Sequence, residues 1–456
     1  MIILIFLLCL LLTGCTGLPA DTPQQVTTLS PPPTTVPAGT AIDRPPSTTT
    51  PLPEKTDWET ATVKAIWLTQ FDLEPVYQQA GRQRDREDFT QKARLIFQNI
   101  HQMGFNTVFL QLRPNADSMY PSKIYPQSGY VTGLYGRPAD YDPVEILVEL
   151  ARQEGLSIHA WINPMRAMKK ENVSLLKTDT ALGQLAAAQQ DALVLVENTW
   201  YLDPGWPQVR RLIVDGAREA MTRYGFDGLH MDDYFYPTTA PEFDRKSYEI
   251  LGGGRDLDDF RRQNLNSLVR ELYTAAHEAG GVFGVSPAGN IETVYHAHYA
   301  DVYTWCGEPG YLDYICPQVY FGLEHETHDF VSVSQTFSKI IHTDSVELLV
   351  GMTFGKALSL EDPYAGSGKE EWAENRDVLA RSLATLADLP HIKGVSVFCY
   401  SYLRDPLTGQ AVEKTKAEQE NFFPNLQKWK IKNDNLPPVG AIIDRPLPPN
   451  PVGLRS

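Results

Sequence analysis

The chain lacks most of the features that announce a function class. It sets 40 Lys and Arg against 56 Asp and Glu, a formal net charge of −16, with no basic stripe to meet phosphates; this excludes a nucleic-acid binder. Cysteine is scarce, with five in 456 residues and none at metal-like spacing, so neither a disulfide scaffold nor a zinc module is expected. No G-x-S-x-G segment is present, which argues against a serine hydrolase built on a nucleophile elbow. No glycine-rich phosphate loop follows a strand-like run, which argues against a doubly wound nucleotide binder.

What is present begins at the N-terminus. Met1 to Leu12 is almost wholly apolar, short of the ~20 residues that span a bilayer, and reads as a secretory h-region. It ends in Leu12-Thr13-Gly14-Cys15, which resembles the bacterial lipobox, although no Lys or Arg precedes the run. The expectation is a signal and lipobox over residues 1–15, lipidation at Cys15, and an extracytoplasmic protein tethered to a membrane by that lipid. Residues 16–57 are dominated by Pro, Thr and Ser, a composition that cannot bury a core and favours an extended tether. A Pro-rich tail occupies residues 433–456. Cys306, Cys316 and Cys399 are expected as buried small hydrophobes.

Residues 58–432 alternate strand-like runs with amphipathic helices. Strands are expected at Ala65–Leu68, Thr107–Leu112, Ser157–Ile162, in the segment Asp227–Asp232, and at Val282–Ser286, Tyr314–Val319, Glu347–Met352 and Gly394–Phe398. Between them, Phe89, Ala93, Ile96, Phe97 and Ile100 recur at helical spacing before Gly104. Asp142-Pro143-Val144-Glu145 opens a second helix, and Gly225 closes a third that runs from Gln208 to Tyr224. Further helices are expected at Phe260–Ala279, Phe330–His342 and Glu370–Leu386. Eight strands in βα alternation predict a TIM (β/α)8 barrel, with a long insertion from Pro164 to Trp206 after strand three.

Barrels of this kind place their chemistry at the C-terminal ends of strands. There the segment Asp227-Gly228-Leu229-His230-Met231-Asp232-Asp233-Tyr234-Phe235-Tyr236 delivers paired carboxylates and aromatic rings, a combination suited to sugar chemistry. Residues two apart in a strand share a face, which groups Gln111 with Arg113, His159 with Trp161 and Asn163, His230 with Asp232, and Gln318 with Tyr320. Alternation also separates the two acids. Asp232 is the candidate nucleophile or general base, and Asp233 points the other way, to a neighbouring loop or a sugar hydroxyl. Glycoside hydrolysis needs a second carboxyl group, about 5–5.5 Å away for retention and about 6.5–9.5 Å for inversion. Glu324 and Glu326 just past strand six, Glu308 before it and Asp203 are the candidates, and Glu324 is the choice because it follows Tyr320 at a strand's C-terminal end; strand seven ends in Thr353-Phe354-Gly355-Lys356 without an acid. His230, Asp232 and His159 also admit a metal-dependent deacetylase reading, although no other strand end supplies a third histidine.

The runs Ala65-Ile66-Trp67-Leu68-Thr69, His159-Ala160-Trp161-Ile162-Asn163-Pro164, Tyr201-Leu202-Asp203-Pro204-Gly205, Asp227 to Tyr234 and Asp313-Tyr314-Ile315-Cys316-Pro317-Gln318-Val319-Tyr320 resemble, in this order, the glycosyl-hydrolase-like family ten lipoproteins of bacterial envelopes. The resemblance implies a TIM-like barrel and a glycoside hydrolase acting on peptidoglycan strands that lack peptide stems. It also implies that His159, Asn163, His230, Asp232, Asp233 and Gln318 line the site. Phe321, Gly355 and Ala288 stand where the family usually has Trp, Tyr and Phe. The full expectation is a monomeric, cofactor-free glycosidase with Asp232, Asp233 and Glu324 as its acids. Arg113, His159, Trp161, Asn163, Asp203, His230, Tyr234, Gln318, Tyr320 and Lys356 would hold the glycan. A glycan-binding lipoprotein without catalysis is the alternative.

Overall fold

A computed structural model of the protein describes residues 58–232 and 235–431. Cys15, the tether, the tail, Asp233 and Tyr234 lie outside the described residues. Eight parallel strands form a closed barrel: β1 (Val63–Leu68), β2 (Thr107–Arg113), β3 (Ser157–Ile162), β4 (Gly228–Asp232), β5 (Val282–Ser286), β6 (Tyr314–Ile315), β7 (Glu347–Thr353) and β8 (Ile392–Phe398). Neighbours in sequence are neighbours in space, and β8 closes on β1 with Val63 opposite Gly394. The helices that return the chain are α1 (Arg86–Gln102), α2 (Pro143–Gln153), α3 (Pro207–Tyr224), α4 (Leu257–Glu278), α5 (Val302–Gly307), α6 (Phe330–Lys339), α7 (Val378–Ala384) and α8 (Lys416–Lys428).

Local chemistry sets the boundaries. Asp85 caps α1 by accepting from the Glu87 and Asp88 N–H groups, and Asp142 caps α2 in the same way, with Pro143 in the first turn. Gly225, at φ 62°, ends α3 in the left-handed conformation that glycine adopts freely. Two expectations are corrected. Strand six stops at Ile315, because Pro317 has no N–H to donate; beyond it only Gln318 bridges, to Ala288 and Gly351. The helix expected over Glu370–Leu386 is two pieces, Glu371–Glu374 and Val378–Ala384. The Arg376 guanidinium donates to the carbonyls of Trp372, Ala373 and Asn375 at the break.

Outward-facing residues such as Ile66, Val108, Ile158, Leu229 and Val350 pack under the helices in the main core. Inward-facing Ala65, Trp67, Phe109, Trp161, Tyr314 and Leu349 fill the barrel itself. The insertion after β3 is ordered: Arg166–Lys169, Thr199–Leu202 and Leu193–Val196 pair in that order as an antiparallel sheet, with a helix at Ala181–Ala188.

Candidate active site

Two glycines make room for the site's floor. A Cβ on Gly228 would lie 2.5 Å from the His159 ring, and one on Gly284 would lie 2.1 Å from the Tyr314 ring. Into this space the Tyr314 hydroxyl projects, 3.0 Å from Nδ1 of His159 and 3.0 Å from Nδ1 of His230. A hydroxyl has one proton. It can donate to only one Nδ1, and it can accept from whichever ring carries its proton on Nδ1. Burial, and then the neighbouring His159, hold His230 well below the usual histidine range, so it is neutral. Phe109 stacks on His230 with ring centroids 4.0 Å apart, and Trp58 lies against His159 and Tyr314. Both histidines are fully buried, so they form a layer inside the barrel and do not meet solvent directly.

The carboxylate site joins the ends of β1, β2, β3 and β4. The pairing of β3 with β4 sets Trp161 opposite His230, which brings Asn163 beside Asp232. Asn163 Nδ2 donates to both Asp232 oxygens at 2.6 Å. Asn163 Oδ1 accepts from Gln111 Nε2 at 2.7 Å, and Gln111 Oε1 accepts from the Gln70 backbone N–H at 2.8 Å. Gln70 is the first residue of a helix, Gln70–Tyr77, that Thr69 and Asp72 close with a reciprocal capping box. The relay therefore starts on a helix N-terminus, where the backbone presents only donors. That donor fixes which way the Gln111 amide points, and Gln111 fixes Asn163. Asp232 accepts on both oxygens from the Asn163 amide. It is 6% exposed, and so shielded from bulk water at the mouth.

The other expected residues are placed unevenly. Trp161 and Tyr320 lie against Trp67, and Gln318, half-buried, donates from Nε2 to the Ser286 carbonyl at 3.4 Å. Arg113 departs from the expected alternation. The β2–β3 pairing slips between Gln111 and Arg113 and sets Arg113 opposite Ile162, whose neighbours Trp161 and Asn163 face inward; one residue of slip reverses the face. Its guanidinium sits 4.9 Å from the Tyr125 ring centroid instead. Lys356 pairs with Asp362 at 2.8 Å. Glu324 is exposed on the loop after β6, where its backbone N–H donates to Glu371, and it takes no part in the Asp232 relay. Among the described residues no group of three or more His, Cys, Asp or Glu is placed to hold a metal ion.

Asp203 is a brace. It is 1% exposed, accepts from Gly205 N–H at 2.8 Å, and lies 2.6 Å from Ser247 Oγ, which is itself 3.0 Å from the Asp244 carbonyl. The single Ser247 proton serves one of these oxygens at a time, and the Asp203 carboxylate is the nearer acceptor. Burial pushes the Asp203 carboxyl up to about 7, against the pull of Ser247 and Gly205. Unfolded, the group titrates near about 3.9. Its contribution to stability is thus full below about pH 4 and lost as the pH rises through about 7. Asp203→Asn does not titrate, so its melting temperature relative to wild type should rise between about pH 5 and about pH 8. A difference that stays flat over that range would show that Asp203 is ionised throughout.

Sequence reasoning missed the element that carries the loop after β4. Arg261 on α4 and Asp244 form a fully buried ion pair at 2.6 Å. The signal was there: Arg261 shares the apolar face of its helix with Leu265, Leu268 and Leu272.

A (β/α)8 barrel with a shielded, amide-held carboxylate at the C-terminal end of β4 defines the class: a barrel built for polar chemistry at its mouth. The sequence belongs to the glycosyl hydrolase-like 10 family, which it matches over residues 62–365. It is 29% identical over 392 residues to glycosyl hydrolase DigH of Escherichia coli (strain K12), covering 79% of this chain and 88% of that one. It is 32% identical over 291 residues to glycosyl hydrolase YngK of Bacillus subtilis (strain 168), covering 59% of this chain and 56% of that one. Likeness to solved structures is lower. The catalytic domain of a β-amylase from Paenibacillus polymyxa reaches a TM-score of 0.49 at 10% identity, covering 80% of this chain and 98% of that one, so the barrel assignment rests on the strand pairing itself.

Proposed function

We propose that the protein is a glycosidase of the bacterial cell envelope that cleaves glycan chains, peptidoglycan strands first among them, with Asp232 as nucleophile or general base. The observation that carries this reading is the relay from Gln70 through Gln111 and Asn163, which presents Asp232 as a shielded carboxylate at a barrel mouth in a glycosyl-hydrolase-like family. Glu324 is the proposed proton donor; Asp233 is proposed to contact a sugar hydroxyl or a neighbouring loop. Substrate on the β6 side would have to bring the exposed Glu324 into range of the bond cleaved. The test is digestion: the full chain is incubated with intact sacculi, peptide-stripped glycan strands and chitin-like oligomers, and product masses are recorded. New sugar reducing ends support the reading. Lost acetyl groups on uncut strands would replace it with a deacetylase, and glycan binding without products would replace it with a binding lipoprotein. The binding lipoprotein has one observation in its favour, the absence of Glu324 from the relay.

Anchoring through a lipidated Cys15, with the Pro/Thr-rich segment as a spacer, belongs to the same proposal. Such a tether confines the enzyme to nearby wall, and a lipobox cysteine with several chains anchors firmly where one chain would not. Cys15→Ala should abolish incorporation of a labelled fatty acid and move the protein out of the membrane fraction. Labelling that persists in Cys15→Ala would put the anchor elsewhere.

A further inference from the structure

The rim of the mouth holds an aromatic ring that the fold leaves exposed. Phe71 is the second residue of the helix Gln70–Tyr77, directly after the residue whose N–H starts the Asp232 relay. It is 59% exposed, while Asp72, Leu73, Val76 and Tyr77 of the same helix are buried. An exposed apolar side chain carries no message by itself. Position and geometry give this one its meaning. Three hydrogen bonds and two side-chain amides lead from the Gln70 backbone to the Asp232 carboxylate, a path of roughly 13 Å at most. Phe71 therefore stands within a few sugar rings of the candidate reacting centre.

Its surroundings fix the ring without covering it. Tyr130, on the loop after β2, meets Phe71 edge-on, with ring centroids 6.0 Å apart and planes at 89°. Tyr130 is itself held: its carbonyl accepts from Gln78 Nε2 at 3.3 Å, its side chain bonds to that of Gln70, and Arg166 at the start of the insertion lies in electrostatic range. The loops that follow β1, β2 and β3 thus converge on one corner, in which Phe71 shows a flat apolar face to solvent. A pyranose has a matching C–H face and a polar edge, and aromatic rings beside a few fixed polar groups are how sites hold such ligands.

We propose that Phe71, braced by Tyr130, is a stacking platform for a pyranose of the glycan chain, set a few rings from the bond to be cleaved. This rests on the glycosidase reading of Asp232. The ligand is the neutral sugar ring, so the platform binds chain length and leaves the chemistry untouched. The test uses the full chain. In an Asp232→Asn background, calorimetric titration with chitin-like oligomers of increasing length should show affinity gained once the oligomer reaches the platform. Phe71→Ala removes that gain, roughly tenfold in Kd, and Phe71→Trp restores it. In the active protein Phe71→Ala raises KM by a similar factor on long chains, with kcat and short oligomers unaffected. The platform is overturned if the protein cleaves glycan while Phe71→Ala leaves Kd and KM unchanged on every length. If the wild-type protein neither binds nor cleaves any glycan, the glycosidase reading falls and the platform with it. Since Phe71 is exposed, the variant folds, and an unchanged melting temperature confirms it.

Discussion

Asp232→Asn should lower kcat on the cleaved glycan by roughly 10³-fold or more with KM little changed, because it removes the bond-forming or proton-accepting oxygen and leaves the pocket's shape. The surrounding amides predict a graded series beneath it. Asn163→Ala withdraws the N–H group that donates to both Asp232 oxygens and should cost roughly 10²-fold. The loss should fall on kcat, since Asn163 holds the carboxylate that acts in the transition state. Gln111→Leu leaves Asn163 in place but frees its amide to turn, so kcat falls by less. Gln111 touches no reacting atom in this scheme; it positions. A Gln111→Leu protein that lost thermal stability and kept the wild-type kcat would reduce Gln111 to a packing residue. Activity of Asp232→Asn within tenfold of wild type would remove Asp232 from the chemistry.

The parts of this site that were legible in the sequence are those that depend on one strand at a time. Alternation put Trp161 and Asn163 on one face and His230 and Asp232 on another, and the aligned pairing of β3 with β4 merged the two faces into one interior. The fold was legible for a similar reason: apolar runs bounded by Gly104, Gly155 and Gly225 are local signals, and each stop falls where the chain turns into the next strand. What depends on two strands at once was hidden. The slip at Gln111 and Arg113 is a property of the β2–β3 pair, and nothing in β2 alone announces it. Tyr314 reads as a core residue of a buried strand; its service to two histidines follows from the approach of β6 to β3 and β4 across the barrel, with two glycines clearing the space. The relay begins on the backbone N–H of Gln70, a group that every residue but proline carries and that no side-chain pattern can single out.

Arg261→Met should destabilise the fold by about 3–5 kcal/mol, the cost of leaving a buried partner charge unpaired. Arg261 spends all five of its N–H donors: Nε and Nη2 on the Asp244 carboxylate at 2.8 and 2.6 Å, Nη2 also on the Ala240 carbonyl at 2.8 Å, and Nη1 on the Thr239 carbonyl at 3.1 Å and the Tyr299 hydroxyl at 2.9 Å. Its cation lies 4.8 Å from the Tyr299 ring centroid and 5.3 Å from that of Tyr236. Thr239, Ala240 and Asp244 all belong to the loop that leaves β4 after Asp232, so one side chain on α4 ties down the chain that follows the candidate catalytic residue. Stability and positioning can be separated. Adding Asp244→Leu to Arg261→Met removes the unpaired charge, and urea unfolding should recover a large part of the loss. The Thr239 and Ala240 carbonyls still lack their donor, so the loop remains loose and glycan cleavage stays low although the protein is folded. Recovery of both stability and activity in the double variant would mean that the loop is positioned by its own packing, with Phe235 against Trp305 and Tyr236 against Phe243, and that Arg261 only neutralises Asp244.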